Sequence, residues 1–245
     1  MNSKNKKFSL AIDGSTNILS VAILDKIKLV KVMHYNNFNQ FDEIDDYFIN
    51  INDFFNQEFE IDTLYVGCGP GSFTGIRSII STALGITISN NHIKSIGINS
   101  LAGLAMSVLD EAKNLKINYI ISSIDSKKDD LFLQLFKIND IKNKSLPFAA
   151  INDIDTVKIE HLHNYILVNK LMLENILFVG CQSEIAKKMI NNLNVSRKLK
   201  QLPDSWGVGK LASHLISNNI SINKTTFAFE KFKPVYVRSP KINKK

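Results

Sequence analysis

The chain has 245 residues, 44% of them hydrophobic and 22% charged, with a formal net charge of +7. This is ordinary globular composition, long enough for two compact lobes, and the absence of any run of about 18 apolar residues excludes a membrane-spanning helix. Lys4, Lys6, Lys7, Lys241, Lys244 and Lys245 carry six of the seven net charges at the two ends, so the body is near neutral and the basic balance describes solvated tails, not a specific nucleic-acid surface.

The opening "MNSKNKKFSLAID" reaches Asp13 too soon to be a secretory signal. Cys68 and Cys181 lie far apart without a partner motif, which points to a reducing, cytoplasmic setting. Along the chain, residues 8–13 predict a strand, followed by the turn "DGSTN" and two further short strands at 19–25 and 28–34. Phe41, Ile44, Phe48, Ile51 and Phe55 alternate spacings of three and four, with Asp42, Glu43, Asp45 and Asp46 between them, which predicts an acidic amphipathic helix. A fourth strand at 63–67 leads into "GCGPGSFTGIR" (67–77), after which Ile76, Ile79, Ile80, Ala83 and Leu84 keep helical spacing as far as Asn90 and Asn91. Ser72 or Thr74 is the expected cap of that helix.

Downstream, the pattern predicts a strand at 93–98, a helix capped by Ser100 and running through Val108, and strands at 119–124 and 131–138. The Asn-rich stretch 139–175 gives no periodic signal. It is followed by a strand at 176–180, helices at 184–192 and 206–217, and a last short strand in "PVYVR" (234–238). The order is α/β, a meander feeding strand–helix units.

Two segments could face phosphate. Asp13 with Gly14, Ser15 and Thr16 sets a carboxylate beside small residues at a strand end, suited to a metal-nucleotide phosphate and equally to a plain tight turn. The glycine loop lacks the Lys-Ser/Thr pair of a P-loop and the offsets of a dinucleotide fingerprint. It reads either as a backbone anion nest at a helix N-terminus or as glycines that let a helix pack closely. Phe73 occupies the position where a hydrolase serine would sit, so Ser72 is a helix cap and not a nucleophile. The histidines are His34, His92, His161, His163 and His214, none paired at i and i+4. "HLH" (161–163) would set two imidazoles on one strand face without a third ligand, so no metal site is expected.

"LAIDGSTNILSVAI" (10–23), "VGCGPGSFTGIRSIISTALGI" (66–86), "SIGINSLAGLA" (95–105), "ISSIDSKKDDLFLQLF" (121–136) and "PVYVR" (234–238), in this order, resemble the TsaB (YeaZ) family of bacterial tRNA threonylcarbamoyladenosine biosynthesis proteins. The match runs from residue 8 to about 136 and resumes at the C-terminus. The resemblance implies a two-lobed actin/Hsp70-like (ribonuclease H-like) nucleotidyl fold with mixed sheets flanked by helices. Its N-terminal lobe would cover 1–104 and its C-terminal lobe 105–245, with the helix near 206–217 packing back on the first.

The function implied is that of a non-catalytic, cytoplasmic subunit supporting TsaD in forming threonylcarbamoyladenosine at position 37 of tRNAs that read ANN codons. A TsaE-like ATPase completes such a complex, tRNA contact is indirect, and the free chain would form homodimers. No resident cofactor or metal is expected in this chain, and a nucleotide at the subunit junction is left open. The expected partner interface joins Phe41, Ile44, Tyr47, Phe48, Ile51, Phe54 and Phe55 to Ile76, Ile79, Ile80 and Ala83. Asp13, Ser15, Thr16, Gly69, Gly71, Ser72 and Arg77 would form a vestigial phosphate loop, since the second-lobe turn "DSKKDD" contains no glycine. On this reading Phe48→Asp or Ile79→Asp breaks association and leaves a folded monomer, and Asp13→Ala matters much less. The competing class is an ATP-dependent phosphotransferase of the same fold, with Asp13 near metal and Gly69, Gly71 and Arg77 near phosphate.

Overall fold

The computed structural model describes residues 7–36, 60–126, 128, 130–139, 146–196, 204–222 and 225–237. In the first sheet β1 (Lys7–Asp13), β2 (Ile18–Asp25) and β3 (Lys28–Asn36) form the antiparallel meander, and β4 (Glu60–Gly67) and β5 (Lys94–Ile98) continue it in parallel. A short strand near the C-terminus, β12 (Ala228–Phe229), closes the far edge, giving the order β12-β5-β4-β1-β2-β3. The second sheet repeats the plan. In it β6 (Tyr119–Asp125) pairs antiparallel with β7 (Leu131–Ile138) and parallel with β10 (Ile176–Gly180). The short strands β8 (Phe148–Ala150), β9 (Asp155–Val157) and β11 (Asn194–Val195) complete it. Two sheets of the same build, each flanked by helices, are the two-lobed actin/Hsp70-like architecture.

Strand β1 is buried at every position from Phe8 to Asp13 because both faces of the sheet are covered, so its sequence reads as a continuous run and not as an alternation. Leu10 and Ile12 point to the outer layer, where Ile76, Ile79, Ile80 and Ala83 of α1 (Phe73–Ser89) cover them. Ala11 and Ala22, paired across β1 and β2, face the inner layer. That layer holds α2 (Ser100–Ser107) and, further along the chain, the helix Ser205–Ser217, which packs on α2 and on β1, β2 and β4. The inner core runs on into Ile120, Phe136 and Leu177 of the second sheet, so these two helices fill the space between the sheets.

Helix α1 is rich in β-branched Ile and Thr, which are indifferent helix formers. Packing holds it: each fully buried isoleucine contributes about 1.5–3 kcal/mol. It stops at Asn90, whose backbone and side-chain N–H groups both donate to the Ile86 carbonyl at 3.0 Å.

Four expectations need correction. Asn99, not Ser100, caps α2, its Oδ1 accepting from Leu101 N–H at 2.8 Å. "HLH" is not a strand, since His161 precedes the helix Leu162–Val168 and His163 lies within it. The helix expected at 184–192 is Ser183–Met189. "PVYVR" forms no strand over its described residues, and the strand near the C-terminus is β12, antiparallel to β5. The opaque stretch 139–175 contains β8, β9 and the helix Leu162–Val168, too short for a periodic signal. The acidic helix expected over 41–55, with Phe41, Ile44, Tyr47, Phe48, Ile51, Phe54 and Phe55, lies outside the described residues.

Candidate functional site

The C-terminal ends of β1, β4 and β5 converge, which is where an open α/β sheet usually receives ligand. Asp13 ends β1 there and is completely buried. Its Oδ1 accepts from Ser15 N–H at 2.9 Å and from the Ser15 hydroxyl at 2.7 Å. Its Oδ2 accepts from the Ser100 hydroxyl at 2.7 Å. Ser100 Oγ in turn accepts from Gly69 N–H at 3.1 Å, tying the turn to the glycine loop. Burial pushes the Asp13 carboxyl above its ordinary range of 3.8; the bonds from Ser15 and Ser100 oppose that shift, and the negative charge of Asp204 adds to it. Ser15 and Ser100 thus take three of the roughly four acceptor positions of the carboxylate, two on Oδ1 and one on Oδ2.

The glycine loop packs directly against the Asp13 turn. Ser72 N–H donates to the Ser15 carbonyl at 2.6 Å. Gly71 has φ +151°, and a Cβ there would collide with that same carbonyl; a Cβ at Gly75 would collide with the Gly14 carbonyl. Both positions therefore need glycine because backbone lies against them. Ser72 is the cap of α1, its Oγ accepting from Gly75 N–H at 3.2 Å. Thr16 Oγ1 accepts from Ile18 N–H at 3.2 Å, closing the same turn. Of the seven loop candidates, Asp13, Ser15, Thr16, Gly69, Gly71 and Ser72 come together in one self-contained knot.

Arg77 does not join them. It is exposed on α1, its Nε donates to the Tyr236 hydroxyl at 3.0 Å, and its guanidinium lies 3.8 Å from the Phe73 ring centroid. Beside the knot, Cys68 is no nucleophile, because burial pushes its thiol up to about 12. Among the described residues, no group of three His, Cys, Asp or Glu could hold a metal ion. In the second sheet the turn after β6 closes through Ser126 N–H to the Asp130 carbonyl at 3.0 Å. A cleft of about 580 Å³ between residues 150–154 and the C-terminal tail is lined by Asn99, Gln134 and Tyr236, and not by Asp13.

The docking residues expected on α1 also need correction. Ile76, Ile79, Ile80 and Ala83 are at most 6% exposed and belong to the outer core of the first sheet. The flank of α1 that meets solvent carries Phe73, Arg77, Leu84 and Ile88, the last 74% exposed. Periodicity finds the apolar stripe of a helix but cannot say which of two stripes is core when both are aliphatic. Sequence reasoning also missed Ser100, taken for a helix cap, and Tyr236, taken for a strand residue. Neither carries a local signal, because their partners lie 87 and 159 residues away.

A family model described as "TsaD: tRNA N6-adenosine threonylcarbamoyltransferase" matches residues 55–241. Among solved structures, YeaZ from Pseudomonas aeruginosa superposes with a TM-score of 0.63 at 17% identity, over 87% of this chain and 95% of that one. A second, described as an uncharacterized protein with similarity to peptidase YEAZ from Pseudomonas aeruginosa, gives 0.67 at 17% identity, over 95% of this chain and 100% of its own. At that identity both establish a shared fold. No curated protein matches the chain by sequence.

Proposed function

The chain belongs to the TsaD (tRNA N6-adenosine threonylcarbamoyltransferase) family, and on that premise we propose that it is a non-catalytic subunit of the TsaB type. It supports a TsaD-like subunit in forming threonylcarbamoyladenosine at position 37 of tRNAs reading ANN codons. One observation carries the non-catalytic part: Asp13, the residue a phosphotransferase of this fold would turn toward metal and phosphate, is sealed among Ser15 and Ser100. In the neighbouring glycine loop the Ser72 N–H is bonded to the Ser15 carbonyl, which also lies against Gly71. The phosphotransferase alternative needs both turns empty and facing a cleft.

Docking in this reading uses the solvent-facing flank of α1 together with the acidic segment 41–55. The TsaE-like ATPase and tRNA are met through the assembled complex, and self-association through the same flank competes with it. The deciding experiment depletes this chain in its own organism and measures modified nucleosides in bulk tRNA. Threonylcarbamoyladenosine falls if the reading holds; an unchanged level overturns it. Purified chain that turned over ATP at kinase-like rates without partners would favour the phosphotransferase.

A further inference from the structure

The geometry points to Arg77 as a carboxylate-receiving anchor on the docking flank, held in place by the C-terminal tail and answered by an acidic side chain on an amphipathic helix of the partner subunit. This rests on the partner-subunit reading above.

Arg77 is exposed yet not loose. Phe73, one turn earlier on α1, lies under its guanidinium at 3.8 Å, and the Tyr236 hydroxyl accepts from its Nε at 3.0 Å. The two rings stand 5.8 Å apart, and the Tyr236 ring centroid lies 6.0 Å from the guanidinium. Tyr236 is itself fixed, because Val235 N–H beside it donates to the Cys68 carbonyl at 2.8 Å. Phe229, Phe232 and Val235 hold the tail against the outer core of the first sheet. These contacts use the Nε and one π-face. The two terminal amino groups, the pair that forks onto a carboxylate, have no bond to any described residue. An arginine already ordered loses less freedom when it binds than one that must be ordered on contact.

The surroundings favour a protein carboxylate over a phosphate. The loop amides of Ser72 and Gly75 are already bonded to Ser15 and Ser72. What flanks Arg77 is aromatic and aliphatic: Phe73 and Tyr236 are about half exposed, and Leu84 and Ile88 follow along the helix. Arginine set among aromatic rings and exposed aliphatics is the composition of an interface hot spot. Leu84 and Ile88 lie seven and eleven residues beyond Arg77, about 10 and 16 Å along the axis. The occupant is an amphipathic helix that presents an Asp or Glu to Arg77 and apolar side chains to Leu84 and Ile88.

The test titrates the full chain and its variants calorimetrically against the purified full-length TsaD-like subunit of the same organism. R77E is expected to weaken binding at least about 30-fold, a hot-spot loss. R77K and Y236F, which leave the surface shape almost unchanged, are expected to weaken it by about 3- to 10-fold each. All three keep the parent's unfolding midpoint. Replacing the partner's exposed Asp and Glu by Arg one at a time restores R77E binding at one position. If the parent chain does not bind the subunit, the partner-subunit reading itself fails. If the parent binds and R77E, R77K and Y236F bind equally well, or if no reversal restores R77E, the anchor alone is overturned. It is overturned too if R77E weakens only tRNA binding, which would mean a phosphate contact, or only self-association, which would mean a second copy.

Discussion

On its inner side the segment Gly67–Arg77 meets the Asp13 turn, where Asp13, Ser15, Ser72 and Ser100 answer one another's polar groups. On its outer side the same segment offers Phe73 and Arg77 to solvent, with Leu84 and Ile88 continuing the flank. Eleven residues thus separate two tasks by direction: the inward polar groups are consumed in fixing two turns and a helix start, and the outward ones are left with binding capacity. A glycine-rich loop at a strand end is therefore not a phosphate loop by composition. What decides is whether its amides and its neighbouring carboxylate are already engaged.

The largest expected effect strikes the hidden face of α1. Ile79→Asp puts a carboxylate into the outer core and should cost at least about 4 kcal/mol, abolishing cooperative urea unfolding. An Ile79→Asp protein that stayed folded and had merely lost its partner would restore Ile79 to the interface and blur the division. Next comes Asp13→Ala, which strands the donors of Ser15 and Ser100 and should destabilise by about 3 kcal/mol in the same assay. That reverses the sequence-based expectation that Asp13 matters little. Gly71→Ala forces a Cβ onto the Ser15 carbonyl and should cost about 1–2 kcal/mol, where a neutral result would mean that the two turns are not in contact.

A pH effect follows from the raised Asp13 pKa. The unfolded chain releases this proton near 3.8 and the folded chain retains it to higher pH. Folded protein therefore binds the extra proton, and stability falls as pH rises from 3.8 to the folded value, then levels. The unfolding free energy of Asp13→Asn, measured against the parent across that range, should lack this slope; parallel curves would mean an unshifted carboxyl. The smallest effect on stability belongs to the outer flank: Ile88→Ser should change it by less than about 0.5 kcal/mol while weakening association about tenfold.

Much of the fold was legible because local signals match global ones. The meander, β4, α1 and β6–β7 announce themselves by apolar runs bounded by turn residues, and Ser72 caps α1 as its position suggests. Residues 139–175 were not legible, because three-residue strands and a seven-residue helix are too short to show a period. Within the site, Asp13 and the glycines were found by type, but their roles were set by long-range partners. Ser100 reaches Asp13 across 87 residues, and the tail places Tyr236 on Arg77 across 159. Burial likewise chose between the two aliphatic stripes of α1, and spacing could not.

The Asp13 turn and the glycine loop are bonded to each other. Mg-ATP is titrated into the isolated chain while the backbone amides of residues 13–16, 69 and 71–75 are followed by NMR. No saturable shift is expected at these amides up to millimolar nucleotide. Saturable shifts shared by the Asp13 turn and the glycine loop would show that phosphate displaces Ser15, and would contradict that bonding.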